Sequence, residues 1–340
     1  MAEYPEEVRK VINTLKTLKQ DVFLVGGCVK EQLMGMDPID WDLVTGASVD
    51  VLKEAFPKAD PLKNGIRLDF TADDVNGAII DIHSAGSPEE YVKRYYYTCD
   101  SLIKTPEGEI IDECNGQLDI RDRLLRTKRD PDRFFDENPV RILQAVRFAA
   151  EYGFDLDKAV LHSARKRHIV LMDCPDKEGI KREFQNILMC SHASKGLQLM
   201  GSADCFQAIL GKWKARIMTN RELRSLKDMM REIDHVPYDL LRRLSIFYVC
   251  FQGRKMMDIV QRLPYDDETL KHLRWADLLL PKLYGTKDIK KIESFISEHG
   301  MECFNYLRNL IADEHVVGWM SHKTYKKYDD ALFQASRNHS

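Results

Sequence analysis

Two closely spaced carboxylates are the residues of this chain best suited to chemistry. Asp40 and Asp42 are separated by one residue and follow the pair Gly26 and Gly27. On a β-strand, side chains at positions i and i+2 point to the same face, so the two acids would face one point in space. Mg²⁺ binds one or two carboxylates together with substrate phosphates, and glycines let backbone N–H groups approach a triphosphate. The combination predicts nucleotidyl transfer.

The elements around these residues must bring them together. The apolar run Val22–Val25 predicts a strand, the glycine pair a turn, Val29–Met34 an amphipathic helix, and residues 39–45 a second strand that carries both acids. Each signal alone has a simpler interpretation, since an Asp-x-Asp pair is usually solvated and a glycine pair usually marks a turn. Their order along the chain favours the functional interpretation.

The character of the sequence changes near residue 120. Before it, short apolar runs predict strands of one mixed sheet, with helices at about 5–18, 29–35 and 48–56; beyond residue 135 nearly every segment has helical periodicity, including separate helices at 288–298 and 301–311. We therefore predict an α+β chain, with a small mixed-sheet head followed by an all-helical region. The predicted strands are 22–25, 39–45, 66–71, 78–83, 102–103 and 110–111.

Composition limits the remaining possibilities. With 340 residues the chain can form two or three domains, and its net charge of −3 means that a nucleic acid must be met by a local basic patch. Eight cysteines without a C-x-x-C pair argue against zinc and disulfides and for a reducing compartment. No apolar run approaches a membrane span, and the first residues lack an apolar signal region. We expect a soluble, cytoplasmic protein.

Three segments carry a family resemblance. The run from Val25 to Glu31, followed by Asp40 to Thr45, resembles the Gly-Gly-x-Val-Arg-Asp and Asp-x-Asp signature of class II tRNA nucleotidyltransferases and bacterial poly(A) polymerases. Residues 109–119 resemble the family's flexible connector, with Asn115 in place of one glycine. Residues 136–150 are similar to the Glu-Asp-x-x-Arg helix that selects the incoming base. Together the matches cover roughly residues 20 to 210.

The resemblance implies a domain order and a catalytic centre. The expected domains are a nucleotidyltransferase head (1–125), a helical neck with the base-selecting helix (126–190) and a helical, RNA-binding body and tail (191–340). The catalytic residues would be Asp40, Asp42 and Asp81, with Mg²⁺ bound by Asp40 and Asp42. Two metals about 4 Å apart would clamp the attacking 3′-hydroxyl and the departing pyrophosphate. Alternatively, Asp81 is an acid at a strand end that faces solvent.

The nucleotide-reading positions depart from the family pattern. Lys30 stands where arginine is usual and loses its bidentate fork, and Tyr96 replaces the acid associated with the ribose. Of the polar positions in that segment, Arg94 and Thr98 are kept, and Gln144 replaces an arginine of the helix signature. The resemblance nevertheless assigns nucleotide binding to a set of residues comprising Gly26, Gly27, Lys30, Arg94, Asn138, Arg141, Gln144 and Arg147.

Asn138 is the departure with the largest chemical consequence. The family has an aspartate here, and a carboxylate only accepts hydrogen bonds, so it selects an exocyclic amino group. An amide can turn and donate, which weakens discrimination against uracil and guanine while Arg141 still donates. The alternative is that Asn138 is a helix cap without a role in base choice.

Binding of an RNA 3′ end needs cations elsewhere. Arg165, Lys166 and Arg167 form a basic cluster within the helical region, which would contact phosphates and position an acceptor stem without reading its sequence. Most charge runs are merely solvated helix faces, and that interpretation stays open here.

The predicted function is template-independent addition of CMP, AMP or both, from CTP and ATP, to the 3′ end of tRNA. One alternative is a degenerate relative that binds nucleotide or RNA without addition, and another is transfer to a different acceptor. Retention of Asp40 and Asp42 favours catalysis, because a protein that only binds has no need to hold two like charges together. The sequence does not indicate an oligomeric state.

Overall fold

The computed structural model describes residues 4–70, 77–211, 219–252, 256–284 and 286–337. The chain divides into two compact units, Met1–Asp130 and Pro131–Ser340, here called the head unit and the helical unit. Thr71, the last residue of a predicted strand, lies outside the described residues.

A mixed sheet forms the centre of the head unit. Its described part has seven strands in the order β3-β4-β5-β2-β1-β6-β7, where β2 and β5 run parallel and every other neighbouring pair is antiparallel. The predicted mixed sheet is therefore confirmed. The strands are β1 (Val22–Val25), β2 (Asp40–Thr45), β3 (Asp60–Leu62), β4 (Gly65–Asp69), β5 (Ile79–Ser84), β6 (Ile103–Lys104) and β7 (Ile110–Ile111), and a short β8 (Leu124–Leu125) follows them.

Five helices accompany the sheet within the described part of the head unit. They are α1 (Glu6–Thr17), α2 (Gly27–Leu33), α3 (Val49–Ala55), α4 (Pro88–Val92) and α5 (Gly116–Arg121), and a 3₁₀ turn covers Thr98–Asp100. α1 buries Val8, Val11, Ile12 and Leu15, which recur at the spacing of one helical face. The amphipathic pattern thus predicts both the helix and the side that packs.

The turn between β1 and α2 requires glycine. Gly26 has a φ of 73°, and a Cβ at this position would lie 2.4 Å from the hydroxyl oxygen of Tyr95. Only a residue without a side chain combines this backbone conformation with this close approach.

The connector segment is fixed by one carboxylate. Asp112 accepts hydrogen bonds from the backbone amides of Cys114 at 3.1 Å, Gly116 at 2.9 Å and Gln117 at 2.9 Å. Asn115 is in the left-handed region, with φ 60° and ψ 32°. Asparagine tolerates this conformation better than other residues with side chains, which explains how it replaces the family's glycine.

The helical unit confirms the predicted helical region. Leu143 and Val146, one turn apart on α7, are fully buried, and α17 is interrupted at Gly300, whose φ is 84°. The elements are α6 (Pro131–Glu137), α7 (Arg141–Tyr152), β9 (Asp155–Leu156), α8 (Lys158–Asp173), α9 (Lys177–Leu188), α10 (Ala193–Ser202), α11 (Phe206–Leu210), α12 (Asn220–Glu232), α13 (Leu240–Val249), α14 (Met256–Val260), α15 (Asp267–Leu278), α16 (Leu280–Leu283), α17 (Ile289–Val316) and α18 (His322–Arg337).

Several helices of this unit begin at side-chain caps. Asp157 and Asp176 accept from backbone amides at the starts of α8 and α9, and Thr219 and Glu222 form a reciprocal capping box on α12. These bonds satisfy amides that have no partner inside the helix.

All eight cysteines carry free thiols, and seven of them are buried. Among the described residues, no helix combines the length and the apolar character that crossing a membrane requires.

Candidate active site

The three predicted catalytic acids lie on one face of two neighbouring strands. β2 and β5 are parallel and in a register that places Asp42 directly opposite Asp81. Asp40 precedes Asp42 by two positions and shares its face, while Trp41 and Leu43 point to the other face and are buried. The fold thus separates an apolar side of β2 from a side that carries carboxylates.

His83 joins these acids and was not singled out from the sequence. Its Nε2 lies 3.2 Å from Oδ1 of Asp42, and it follows Asp81 by two positions on the same face of β5. One ligand atom from each of Asp42, Asp81 and His83 lies within 4.8 Å of the others. Alternation along the strand could have indicated this histidine once Asp81 had been chosen.

Arg67 is a second residue that sequence reasoning missed. It lies opposite Asp81 in the antiparallel β4–β5 pair, and its Nε and Nη2 donate to the two carboxylate oxygens at 2.7 and 2.8 Å. Hydrogen bonding to Asp81 raises the pKa of Arg67 further above its ordinary value. Asp81 therefore has a fixed carboxylate plane and a compensated charge.

An aromatic wall borders the cluster. The Tyr91 ring lies 4.9 Å from the His83 ring, and the guanidinium of Arg94 lies 4.0 Å from the Tyr91 centroid. Tyr95 meets Tyr91 edge to face and closes over Gly26. Burial raises the pKa values of Tyr91 and Tyr95 well above the ordinary value, and the negative charge of Asp42 raises them further. Both phenols thus stay protonated at neutral pH.

The predicted nucleotide-binding residues of the head unit have distinct surroundings. Gly27 opens α2, and the space that a Cβ would occupy there is empty. Arg94 is exposed and lies next to the aromatic wall. Lys30 is buried instead, and its ammonium donates to Asp100 at 2.9 Å. This bond ties α2 to the 3₁₀ turn, and a nucleotide contact by Lys30 stays a prediction.

In the helical unit, the predicted base-selecting residues flank or lie on α7. Oδ1 of Asn138 accepts the backbone N–H of Val140 at 3.0 Å in the turn before α7, whose own N-cap is Val140 and has no side-chain cap bond. Gln144 is half-buried on α7, and Arg147 pairs with Glu183 at 2.9 Å.

Arg141 holds the turn between α6 and α7. Its Nη1 donates to the carbonyl oxygen of Phe134 at 3.0 Å and to Glu137 at 2.5 Å, and its guanidinium stacks over the Phe134 ring at 4.7 Å. The Arg141 side chain, to which the resemblance assigns recognition of the incoming base, therefore makes contacts within the helical unit.

The predicted RNA-binding cluster on α8 is largely paired within the unit. Arg167 donates to Asp132 and to both oxygens of Asp136, each at 2.7 Å. Arg165 donates to the Ser202 carbonyl, and Lys166 makes a longer contact with Asp132 at 3.3 Å. Of the two cations that form ion pairs here, Lys166 is the more exposed: 61% of its side chain is exposed, against 11% for Arg167.

A divalent cation fits the donor set of the head unit. Asp42 and Asp81 offer carboxylate oxygens and His83 offers an imidazole nitrogen within one small volume. Asp40 is exposed at the start of β2 on the same face and adds a further oxygen donor nearby. Carboxylate oxygens are the usual protein ligands of hard dications. Within the described part of the head unit, Asp42 forms no ion pair with a lysine or an arginine, and its side-chain neighbour is the His83 imidazole.

Residues 22–84 match the family model of the poly A polymerase head domain. The CCA-adding enzyme of Streptococcus pyogenes serotype M2 is 26% identical over 250 residues, which are 68% of this chain and 62% of that relative. The chain thus spans less than two thirds of the length of this curated relative.

Two solved structures have a similar fold. The CCA-adding enzyme of Bacillus stearothermophilus in complex with CTP has a TM-score of 0.73 at 18% identity, over 99% of this chain and 83% of its own. The CCA-adding enzyme of Thermotoga maritima complexed with tRNA has a TM-score of 0.73 at 17% identity, over 98% of this chain and 84% of its own. These likenesses confirm the predicted fold class.

Proposed function

We propose that this chain, whose residues 22–84 match the poly A polymerase head domain, adds CMP, AMP or both to the 3′ end of tRNA. CTP and ATP would be the donors. Relatives of the same fold were solved with CTP and with tRNA, which supports this choice of substrates. A cytoplasmic location stays a prediction.

One observation carries the proposal. Asp40, Asp42 and Asp81 share one face of the parallel strands β2 and β5, and the glycine turn before α2 follows β1, the antiparallel neighbour of β2. Clustered carboxylates repel one another, so a fold keeps them together where a cation compensates the charge. The space beside Gly27 would admit a triphosphate close to the backbone.

The side chains would divide the work of an in-line displacement. Divalent cations, which we propose to be Mg²⁺, would stabilise the attacking 3′-hydroxyl and the departing pyrophosphate. Asp40 and Asp42, with Asp81, would hold them through carboxylate oxygens. Arg67 keeps the carboxylate of Asp81 in one orientation, and Arg94 offers an exposed cation for a phosphate.

Base choice would depend on the segment before and along α7. Because Oδ1 of Asn138 is engaged by the Val140 amide, its NH₂ group is the part directed away from that bond, and it donates. Arg141, Gln144 and Arg147 would complete the set of polar contacts. Arg165, Lys166 and Arg167 on α8 would meet phosphates of the acceptor stem.

The decisive experiment supplies each substrate singly. The protein is incubated with Mg²⁺, a tRNA that lacks its 3′ terminal CCA, and one of the four NTPs, and the 3′ ends are sequenced. We expect addition of C, A or both by the wild type and none by Asp40→Asn or Asp42→Asn, because each substitution removes a charged ligand. Asp21→Asn, an exposed aspartate just before β1, is the control and should keep full activity.

The outcomes separate the alternatives. Nucleotide or tRNA binding without any addition would support a relative that only binds. Full activity of Asp42→Asn would remove the catalytic assignment. Thermal unfolding of each variant checks that loss of activity does not reflect loss of the fold, and replacing a mutually repelling acid should leave the melting temperature unchanged or raised.

A further inference from the structure

His83 lies beside the carboxylate cluster, with its ring nitrogen Nε2 3.2 Å from Oδ1 of Asp42. It lies opposite Val44 in the β2–β5 register, and its ring turns toward Asp42 rather than toward solvent. Only 12% of the His83 side chain is exposed, against 35% of that of Asp42. A partly buried imidazole is therefore directed at Asp42, which is more exposed than Asp81.

Packing restrains the orientation of this ring. Tyr91 covers it at 4.9 Å with an interplanar angle of 35°, and the guanidinium of Arg94 lies over the Tyr91 ring. Because Tyr91 is buried, the imidazole cannot turn freely. A side chain whose rotamer is set by its neighbours is suited to ligation, since little ordering remains for the binding step.

The donor atoms lie close to the spacing that ligands of a single ion have. Metal bonds to imidazole nitrogen and carboxylate oxygen are about 2.0–2.2 Å long, so two ligands of one ion lie within roughly 4.4 Å of each other. Nε2 of His83 and Oδ1 of Asp42, at 3.2 Å, meet this limit. The ligand atoms of Asp42, Asp81 and His83 all lie within 4.8 Å of one another, so a shift of a few tenths of an ångström brings the whole set within it. Arg67 takes one lone pair of each Asp81 oxygen, and a carboxylate has others left for a cation.

We propose that Nε2 of His83 is a direct ligand of the divalent cation bound by Asp42 and Asp81, and that this site binds Mn²⁺ more tightly than Mg²⁺. The inference rests on the proposed function, whose metal ligands it extends from carboxylates alone to a mixed nitrogen and oxygen set. Mg²⁺ is a hard cation that favours oxygen ligands and retains its waters. Imidazole favours first-row transition dications instead, so one nitrogen ligand shifts the preference toward them.

Mn²⁺ itself is the probe, because its unpaired electrons report its ligands. Pulsed electron paramagnetic resonance of the full chain with one equivalent of Mn²⁺, with and without CTP, should show the ¹⁴N coupling of a directly bound imidazole. Titration of the free Mn²⁺ signal gives the affinity, and competition by Mg²⁺ gives the preference. The wild-type spectrum needs no variant, so the test holds even where a substitution disturbs folding.

Two histidine variants complete the design. His83→Gln keeps a group that can hydrogen-bond to Asp42 but removes the imidazole, and we expect it to lose the ¹⁴N coupling and to bind Mn²⁺ about tenfold or more weakly. Its affinity for Mg²⁺ should change less. His162→Gln, at an exposed histidine on α8, is the control and should match the wild type in every measurement.

Failure of this inference is distinguishable from failure of the proposed function. Asp42-dependent Mn²⁺ binding without nitrogen coupling, or with equal affinity in His83→Gln, overturns the ligand assignment. Addition of C or A to tRNA in Mg²⁺ would still support the reaction in that case. Absence of Mn²⁺ binding with CTP present overturns the ligand assignment as well, and absence of addition by the wild type counts against the proposed function.

Discussion

At Asn138, one side-chain geometry is compatible with both interpretations of this residue, a structural role before α7 and a role in base choice. Its side-chain oxygen accepts the Val140 amide at 3.0 Å in the turn that leads into α7, while the side chain itself is exposed. This bond uses the acceptor half of the side-chain amide. The donor half stays available to a base, so a structural role and a role in base choice are compatible.

We predict that Asn138→Asp sharpens nucleotide preference without changing stability. Asp and Asn are nearly equivalent as acceptors of a backbone N–H before a helix, so the melting temperature should stay the same. An acceptor-only group favours cytosine and adenine over uracil and guanine, and one such hydrogen bond is worth roughly 1–3 kcal/mol, or about ten- to a hundredfold in relative kcat/KM. The measurement is kcat/KM for all four NTPs on one truncated tRNA. Unchanged ratios would leave Asn138 with a structural role only.

At the scale of elements, the buried ion pair of Lys30 and Asp100 connects α2 to the 3₁₀ turn before β6. The side chain of Lys30 is 2% exposed and that of Asp100 12%. Removal of one partner leaves an uncompensated charge in the interior, which is far more costly than removal of both.

Lys30→Met should therefore lower the free energy of unfolding of the head unit by about 3–5 kcal/mol. The double variant Lys30→Met with Asp100→Asn should recover most of that loss. Urea unfolding of the three proteins tests this, and equal stability of the two variants would show that the pair is not what connects these elements. The double variant then tests the predicted nucleotide contact of Lys30 separately, through KM for CTP.

The helix α8 carries two neighbouring cations with different surroundings. Arg167 bridges Asp132 and Asp136 of α6, and hydrogen bonding to Arg167 lowers the pKa of Asp136. Lys166 points largely into solvent. The first side chain connects two helices, whereas the second is free to change partners when a polyanion approaches.

We expect the two substitutions to separate stability from RNA binding. Lys166→Met should reduce tRNA affinity and lower the slope of log K against log salt by about 1, with an unchanged melting temperature. Arg167→Met should lower the melting temperature, because it disconnects α6 from α8. Thermal unfolding and tRNA titrations at several salt concentrations give both quantities. The opposite pattern would make Arg167 the RNA contact.

At the scale of the whole molecule, the dependence of stability on pH should reflect one buried acid. Glu314 on α17 is 4% exposed, and burial raises its pKa from 4.5 to about 7, although a hydrogen bond from Tyr284 opposes the shift. It lines a cavity of about 990 Å³ in the helical unit, together with Arg221 and Trp319. An acid whose pKa is raised by folding binds its proton more tightly in the folded state.

The free energy of unfolding should consequently fall as the pH rises from about 4.5 to about 7, by about 3 kcal/mol in total from this group, and then level off. Glu314→Gln keeps the shape and the bond to Tyr284, so it should be more stable than the wild type at pH 8 and similar to it at pH 4.5. Glu298→Gln, an exposed acid on the same helix, is the control. Urea unfolding followed by circular dichroism at both pH values tests this. If the wild type and Glu314→Gln differ in free energy of unfolding by the same amount at pH 4.5 and at pH 8, the fold does not raise the pKa of Glu314.

Local patterns made much of this molecule predictable. β1 and β7 have the predicted bounds, 22–25 and 110–111, because a short apolar run between turn residues depends only on neighbouring residues. The two helices predicted at 288–298 and 301–311 meet at Gly300 in α17. Short elements such as β3 and α4 escaped prediction, since three to five residues are too few to establish a period.

The candidate site depended on information that no local pattern contains. Asp81 faces Asp42 only because β5 joins β2 in parallel with one particular register, and Arg67 reaches Asp81 only through the register of β4. A shift of one residue would turn each of these side chains to the opposite face. The acids were predictable by type and spacing, and alternation along β5 could have indicated His83, whereas the contact of Arg67 with Asp81 and that of His83 with Asp42 depend on the pairing of the strands.

The capped turn of the connector has a consequence for chemical ageing of the protein. Asn115 and Gly116 form the dipeptide that deamidates most readily in flexible chains, where the glycine nitrogen attacks the asparagine side-chain carbonyl. In the folded head unit that nitrogen donates its hydrogen to Asp112 at 2.9 Å, and Asn115 is held in the left-handed conformation. The Asp112 carboxylate that shapes the turn thereby also engages the Gly116 nitrogen, the nucleophile of this reaction. Deamidation at Asn115 should therefore proceed only in molecules in which the turn has opened.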